Sequence, residues 1–329
     1  MFVMTHEIRI DGVVFPLITS VSVKMDVGQL VNTATIELPA TAFKRRLAQV
    51  SNIRRGQRVE IRLGYDGKNN LEFDGYVNRR TDKDNGLSVE CEDAMFLFRQ
   101  TTMKNQEFAE PSMKQLLEKV VQEVNKNGDS PKITISTNMN YKYEKFVFQN
   151  ASAFDVLKKI QEETKAHIYL DTDNVLHVEP QYIEKASRTV RYSFQQNICR
   201  DGLSLTWKDT KENPLIVEVE GSGKVNGKMA KEIVTAGETG GDRIKEKIRG
   251  ITDRKTLQGI ADDMYNARNY TGFEGSFEGW LIPCITAGDF AEITDDEDES
   301  RNGKYYVKSV ETTFDSGGGK RKINLGHRV

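Results

Sequence analysis

Gly56-Gln57-Arg58-Val59-Glu60-Ile61 and, much later in the chain, Gly288-Asp289-Phe290-Ala291-Glu292-Ile293 carry one short pattern: Gly, two variable residues, a small apolar residue, Glu, Ile. A polar turn follows in both copies, then a Tyr-Val pair (Tyr76-Val77, Tyr306-Val307) about 20 residues after the glycine. Next comes a Gly-bearing turn (Asn85-Gly86; Gly317-Gly318-Gly319), and each copy closes on an alternating strand, Leu87-Ser88-Val89-Glu90-Cys91 or Ile323-Asn324-Leu325. Apolar residues at every second position turn one strand face to a core and the other to solvent. A chain that builds one β unit twice points to symmetry made by duplication, whereas an enzyme usually centres on one site.

Outward from the first copy, the chain to about residue 100 reads as β. Glu7–Ile10, the Asp11-Gly12 turn and Val13–Phe15 form a hairpin signal. Val21, Val23 and Met25 alternate with polar residues, as do Ala34, Ile36 and Leu38 before Pro39, Val59, Ile61 and Leu63, and Leu87, Val89 and Cys91. Half-buried antiparallel strands joined by tight turns predict a small barrel or sandwich.

From 105 to about 180 the pattern becomes α+β. Ser112 caps a helix with Met113, Leu116, Leu117, Val120 and Val124 on one face, ended by Asn127-Gly128. Strands are expected at Ile133–Ile135 and Phe146–Phe148. Ser152-Ala153-Phe154-Asp155 resembles a capping box opening a helix with Phe154, Leu157 and Ile160 inward. Ala166–Leu170, the Asp171–Asn174 turn and Val175–Val178 read as a hairpin. Beyond 185 the chain is mostly β again, at 188–194, 203–207 and 215–219. Residues 221–241, rich in Gly and Lys, read as a mobile loop or a long hairpin. Asp253 opens a helix bearing Leu257, Ile260, Ala261, Met264 and Tyr265, before the second copy of the repeat.

Composition narrows the function classes. Charged residues are 29% of the 329 and hydrophobic residues 37%, enough for real cores in a soluble chain of two or three domains. A net charge of −2 gives no global field for nucleic acid. No apolar run reaches the ~20 residues of a membrane span, and Met1 to Ile10 lacks the order of a signal peptide. Cys91, Cys199 and Cys284 are few and far apart, which suits a reduced compartment and synthesis in the cytoplasm.

Candidate chemistry is thin. His6, His167, His177 and His327 lack metal-ligand spacing; His167 and His177, on two arms of one hairpin, are placed to face each other, but two His make a poor metal site. Gly221-Ser222-Gly223 through Gly227-Lys228 suggests a phosphate loop, yet the spacing is wrong and Met229 stands where Ser or Thr is needed. Asp295 to Glu299 clusters carboxylates without calcium-loop spacing and reads as a solvated turn. Arg54-Arg55, Arg79-Arg80 and Lys44-Arg45-Arg46 are basic groups expected to be solvated or ion-paired. Nucleophile motifs are absent, and choosing a catalytic pair from 49 acids has no basis. Asn150-Ala-Ser152 and Asn269-Tyr-Thr271 match a glycosylation pattern without secretory context. Trp207 and Trp280 are expected to be buried. The expectation is no catalytic, cofactor or metal site.

The order of parts resembles the baseplate hub proteins of phage tails and contractile injection machines, including late-control tail proteins and the hub portion of the type VI secretion spike. The likeness rests on Ala34–Leu38, Arg55–Ile61, Phe73-Asp74-Gly75-Tyr76-Val77 with its interior glycine, Phe148-x-Asn150-x-Ser152-x-Phe154-Asp155-Val156-Leu157, and Gly303–Val307 through Val310 and Phe314-Asp315. It spans nearly the whole chain and is weakest over 221–275.

The resemblance implies a β-rich α+β protein with two related antiparallel β-barrel domains flanking a smaller α+β domain. These are 1–104 (N-terminal, tube-ring barrel), 105–182 (α+β) and 183–329 (second barrel, with an insertion at about 221–275). It also implies a homotrimer whose six barrels form a pseudo-six-fold ring joining a six-fold tail tube to a three-fold spike. Partners are then the tube protein, the spike and other baseplate proteins, in a virion tail or injection particle. The chain stops soon after Leu325, so the spike is expected as a separate protein. Loops 64–71 and 221–241 are weak contact candidates. The competing readings are a tail-associated cell-wall hydrolase, which needs a cleft of convergent acids or a nucleophile, and a surface- or carbohydrate-binding β module.

Overall fold

The computed structural model describes residues 2–39, 52–84, 86–126, 128, 131–139, 141–186, 188–210, 214–225, 228–237 and 240–329. Lys44-Arg45-Arg46, Asn85, Asn127 and Gly227 lie outside the described residues. In chain order the elements are β1 (Met4–Ile10), β2 (Val13–Val14), β3 (Ser20–Asp26), β4 (Thr33–Pro39), β5 (Arg58–Tyr65), β6 (Lys68–Lys83), β7 (Gly86–Asp93), α1 (Met95–Gln100) and β8 (Gln106–Ala109). Then come α2 (Met113–Val124), β9 (Thr134–Thr137), β10 (Lys145–Phe148), α3 (Ala153–Thr164), β11 (His167–Leu170), β12 (Val175–Glu179), β13 (Thr189–Ser193) and β14 (Ile198–Lys208). The last are β15 (Leu215–Val225), β16 (Lys228–Gly237), β17 (Asp242–Arg249), α4 (Arg254–Asn266), β18 (Gly272–Trp280), β19 (Phe290–Thr294), β20 (Gly303–Asp315) and β21 (Gly318–Arg328).

They divide into two compact units. The first comprises Met1–Phe96, Ala186–Leu205 and Gly275–Leu325. Its sheet runs β14-β18-β21-β20-β3-β4-β7-β6-β5-β1-β2, with β19 on β20 and β13 on β19. It is β-rich and mainly antiparallel, as the alternation requires; β13 alongside β19 is parallel. Among the described residues the two ends of this order do not pair, so the sheet is not closed. Val21, Val23, Ala34, Ile36, Leu38, Val59, Ile61, Leu63, Leu87, Val89 and Cys91 are all buried in one core, the face that period two assigned them. Asp11 and Gly12 both have positive φ, 50° and 76°, the geometry of the tight β1–β2 turn.

The second unit comprises Leu97–Lys185, Thr206–Glu274 and Gly326–Val329. The predicted N-cap Ser112 and the predicted capping box at Ser152 are both present, and Ser112 also proves to sit in a capping box: Ser112 Oγ accepts from Gln115 N at 3.2 Å, and Ser152 Oγ from Asp155 N at 3.1 Å. α2 stops at Val124, short of Asn127-Gly128. The Asn125 side chain both donates to Ile133 O (2.8 Å) and accepts from Ile133 N (2.9 Å), binding the helix end to the next strand. On α3 the buried face is Ala153, Val156, Leu157 and Ile160. Phe154, expected inward, is only half-buried, and Arg99 lies over its ring at 4.5 Å. β11, β12 and β9 form one small sheet, and β8 pairs with β10.

The Gly- and Lys-rich segment is a long hairpin rather than a loop: β15 and β16 pair antiparallel from Ile216↔Gly237 to Val225↔Lys228, with β17 parallel on the far side of β15. Gly221 serves packing. A Cβ on Gly221 would stand 2.4 Å from Leu257 of α4 and 2.6 Å from Ile251 O, so only glycine lets the helix settle there.

Candidate functional site

The repeated motif folds twice into one hydrogen-bonded turn. In the first copy Gly56 N donates to Val77 O (2.8 Å) and Val77 N to Gln57 O (2.9 Å). In the second, Gly288 N donates to Val307 O (2.9 Å) and Val307 N to Asp289 O (2.9 Å). The residue after each glycine also closes the turn below it. Gln57 N donates to Arg54 O and Asp289 N to Thr286 O, while Gln57 Oε1 and Asp289 Oδ2 each accept from that same residue's N at 2.8 Å. Both glycines sit in left-handed backbone, φ 90° and 92°, which explains why this position is Gly in each. Each motif then enters a hairpin in matching register, Arg58↔Tyr76 and Phe290↔Tyr306.

A fully buried ion pair ties the repeats together. Arg321 of β21 is 1% exposed and holds Glu72 of β6, 2% exposed, in a two-pronged pair, Nη1 to Oε2 at 2.7 Å and Nη2 to Oε1 at 2.5 Å. The guanidinium also donates to Leu281 O (3.3 and 3.2 Å) and Thr312 Oγ1 (3.0 Å). Burial opposes its charge, but the Glu72 carboxylate outweighs this and holds the Arg321 pKa well above its ordinary value. The sequence reading missed this pair. Arg321 was findable, because it occupies an inward position of the alternation that continues through Ile323 and Leu325. Glu72 was not: it is the extra residue where the β5–β6 register slips, skipped between Phe73 and Leu71, and the bulge turns it inward.

The other candidates are dispersed. His167 and His177 do not face each other, because the register sets His177 against Tyr169 and His167 against Glu179. His177 instead donates to Asp171 Oδ2 at 2.8 Å, with Glu179 Oε1 3.4 Å from Nδ1. Burial lowers its pKa, but the hydrogen bond to the Asp171 carboxylate and the neighbouring Glu179 carboxylate prevail and raise it to about 9. Burial lowers the pKa of both His6 and His327, and His327 Nε2 lies 2.7 Å from Ile183 O. Arg79 pairs with Glu90 and Arg80 with Asp82, while Arg55 lies over Phe96 at 5.4 Å.

Most of the acidic turn is exposed, but Asp295 is buried. It accepts from Gln195 Nε2 (2.8 Å), Glu297 N (3.0 Å) and Arg301 Nη1 (3.1 Å), and these bonds hold its pKa below the usual range. Trp207 and Trp280, expected inside, are 43% and 47% exposed, because they lie near strand ends in β14 and β18. The three cysteines are free, with Cys91 buried and its thiol pKa pushed up by burial. Among the described residues no group of three His, Cys, Asp or Glu side chains is placed to hold a metal. Among the described residues no helix is long and apolar enough to cross a membrane.

A sequence-family model described as the Alg8 N-terminal domain matches residues 2–314. The chain belongs to that family. No curated protein matches this Alg8-family chain. Among solved structures it is similar to a tail protein from Neisseria meningitidis MC58, with TM-score 0.68, 13% identity, and coverage of 99% of this chain and 97% of that one. It is also similar to the 43 kDa tail protein of prophage MuSo2 from Shewanella oneidensis (TM-score 0.63, 13% identity, 98% of each chain). A third similar structure is an Escherichia coli component of the type VI secretion system (TM-score 0.62, 9% identity, 98% of this chain and 76% of that one), itself described as similar to T4 bacteriophage tail proteins. The Alg8-family chain therefore has the fold of phage tail proteins and of the type VI secretion component. The resemblance read from its sequence holds at the level of fold.

Proposed function

We propose that this chain is a structural baseplate hub of a phage tail or contractile injection machine. Three copies form a ring in which each contributes two related β units, giving pseudo-six-fold symmetry toward a tail tube and three-fold symmetry toward a spike. The observation that carries this reading is the duplicated turn. Two copies of one motif, with matching hydrogen bonds and register, lie in one sheet of one chain. The shared fold with tail proteins supports it.

In this reading 1–104 and 183–329 act as the two barrel-derived domains, with 221–275 inserted in the second, and 105–182 is the α+β domain between them. Its partners are further copies of itself, the tube protein, the spike and other baseplate proteins, and its place is in the assembled particle. It works by symmetry matching and mechanical coupling, without catalysis or a cofactor.

Light scattering on the purified protein tests it. The expected mass is about three times 37.3 kDa, with six lobes in images along the axis. A monomer at every concentration, alone and mixed with its cognate spike, would overturn the hub reading. The surface-binding alternative draws on the exposed Trp207 and Trp280; glycan binding lost on Trp280→Ala would favour it.

A further inference from the structure

Register places Arg243, Lys245, Lys247 and Arg249 of β17 on one face, opposite Ile216, Glu218, Glu220 and Ser222 of β15. The same row continues into Thr235, Ile233 and Lys231 of β16. α4 packs on the other face, where Val217, Val219, Val234, Ala236 and Ile248 are buried. The outer face carries more cations than it neutralises. Arg243 and Lys245 share Glu218, each at 3.2 Å, and Lys231 uses Glu220 at 3.1 Å. Lys247 and Arg249 are exposed, with no carboxylate in ion-pair range among the described residues.

Lysines on an edge strand commonly guard against unwanted pairing. That does not explain why Ile233 is 53% exposed in the middle of this face, with Met229 67% exposed on the same face nearer the hairpin end. An apolar centre inside a charged rim is the anatomy of a protein interface.

We infer that this face docks the acidic turn, residues 295–299, of a second copy of the chain. Charge complementarity selects that occupant. Asp296, Glu297 and Glu299 are exposed and make no ion pair among the described residues, while buried Asp295 fixes the turn that presents them. The excess charge on the face and the excess charge on the turn are opposite in sign. Two different patches of one chain meeting between copies make a head-to-tail contact, which closes into a ring when the rotation permits. The inference rests on the hub reading for the existence of the ring and adds which surfaces form it.

The test is the mass and association strength, by light scattering, of four chains: wild type, Lys245→Glu/Lys247→Glu/Arg249→Glu, Asp296→Lys/Glu297→Lys/Glu299→Lys, and one carrying both sets. Circular dichroism checks that each is folded. Either set alone is expected to weaken association at least about tenfold, and the combined chain to recover it. The wild-type contact should weaken as salt rises toward ~0.5 M. If the wild type assembles and neither set weakens it, the contact is wrong and the hub reading stands. If each set weakens assembly but the combination does not recover it, the two surfaces do not meet. A wild type that stays monomeric at every concentration, alone and mixed with its cognate spike, sinks the ring itself.

Discussion

Across the β5–β6 pair Val59 faces Gly75, while across β19–β20 Ala291 faces buried Tyr305. The repeats keep the turn and exchange the bulk: a larger residue opposite glycine in one, a smaller residue opposite tyrosine in the other. The turn's closing residue differs as well. Gln57 is neutral and partly exposed, whereas Asp289 is 5% exposed and pairs with Arg188. The outer neighbours run in opposite senses, β1 antiparallel to β5 and β13 parallel to β19. A hairpin that satisfies its own turn accepts either neighbour, so the conserved part of the repeat is its backbone hydrogen bonding, and its packing is free to diverge.

Breaking the link between the repeats should have the largest effect. Arg321→Met leaves Glu72 buried and unpaired, an expected loss of about 3–5 kcal/mol in urea unfolding. Replacing both residues with apolar ones of similar size should cost much less; equal losses would mean that the pair does not join the repeats.

Gly75→Ala sharpens the exchange of bulk. The new Cβ would lie 2.2 Å from Glu92 O and 2.7 Å from the Phe73 ring, for an expected loss of about 1–3 kcal/mol. A neutral result would mean that the β6 backbone gives way easily.

His177 lies outside both repeats and serves as the contrast. Its folded pKa of about 9 exceeds the ordinary 6.5, so its stabilisation is full below 6.5 and is lost as pH rises to about 9. His177→Gln should therefore cost about 1–2 kcal/mol at pH 6, allowing for partial exposure, and almost nothing above pH 9. A pH-independent cost would remove the imidazolium from the account.

The smallest effect tests the sameness of the turns. Gly56→Ala and Gly288→Ala both force alanine into positive φ and should each cost about 1 kcal/mol. Unequal losses would show that the two turns are alike in pattern only.

Much of this architecture was legible in order. Alternation marked the core faces of β3, β4, β5 and β7, and Ser112, Ser152 and Asp253 marked three helix starts, because strand period and capping are local properties. The duplicated motif was visible for the same reason, since a left-handed glycine and the polar residue that closes its turn lie a few positions apart.

The tertiary structure alone decided the rest. It let β20 pair with β19 through Gly303–Tyr306 and with β3 through Ser309–Asp315, gave β19 a parallel neighbour, set His177 against Tyr169, and drew Glu72 in through a bulge to meet Arg321. Each of these joins residues far apart in the chain or depends on a one-residue slip of register, and local spacing carries no information about either.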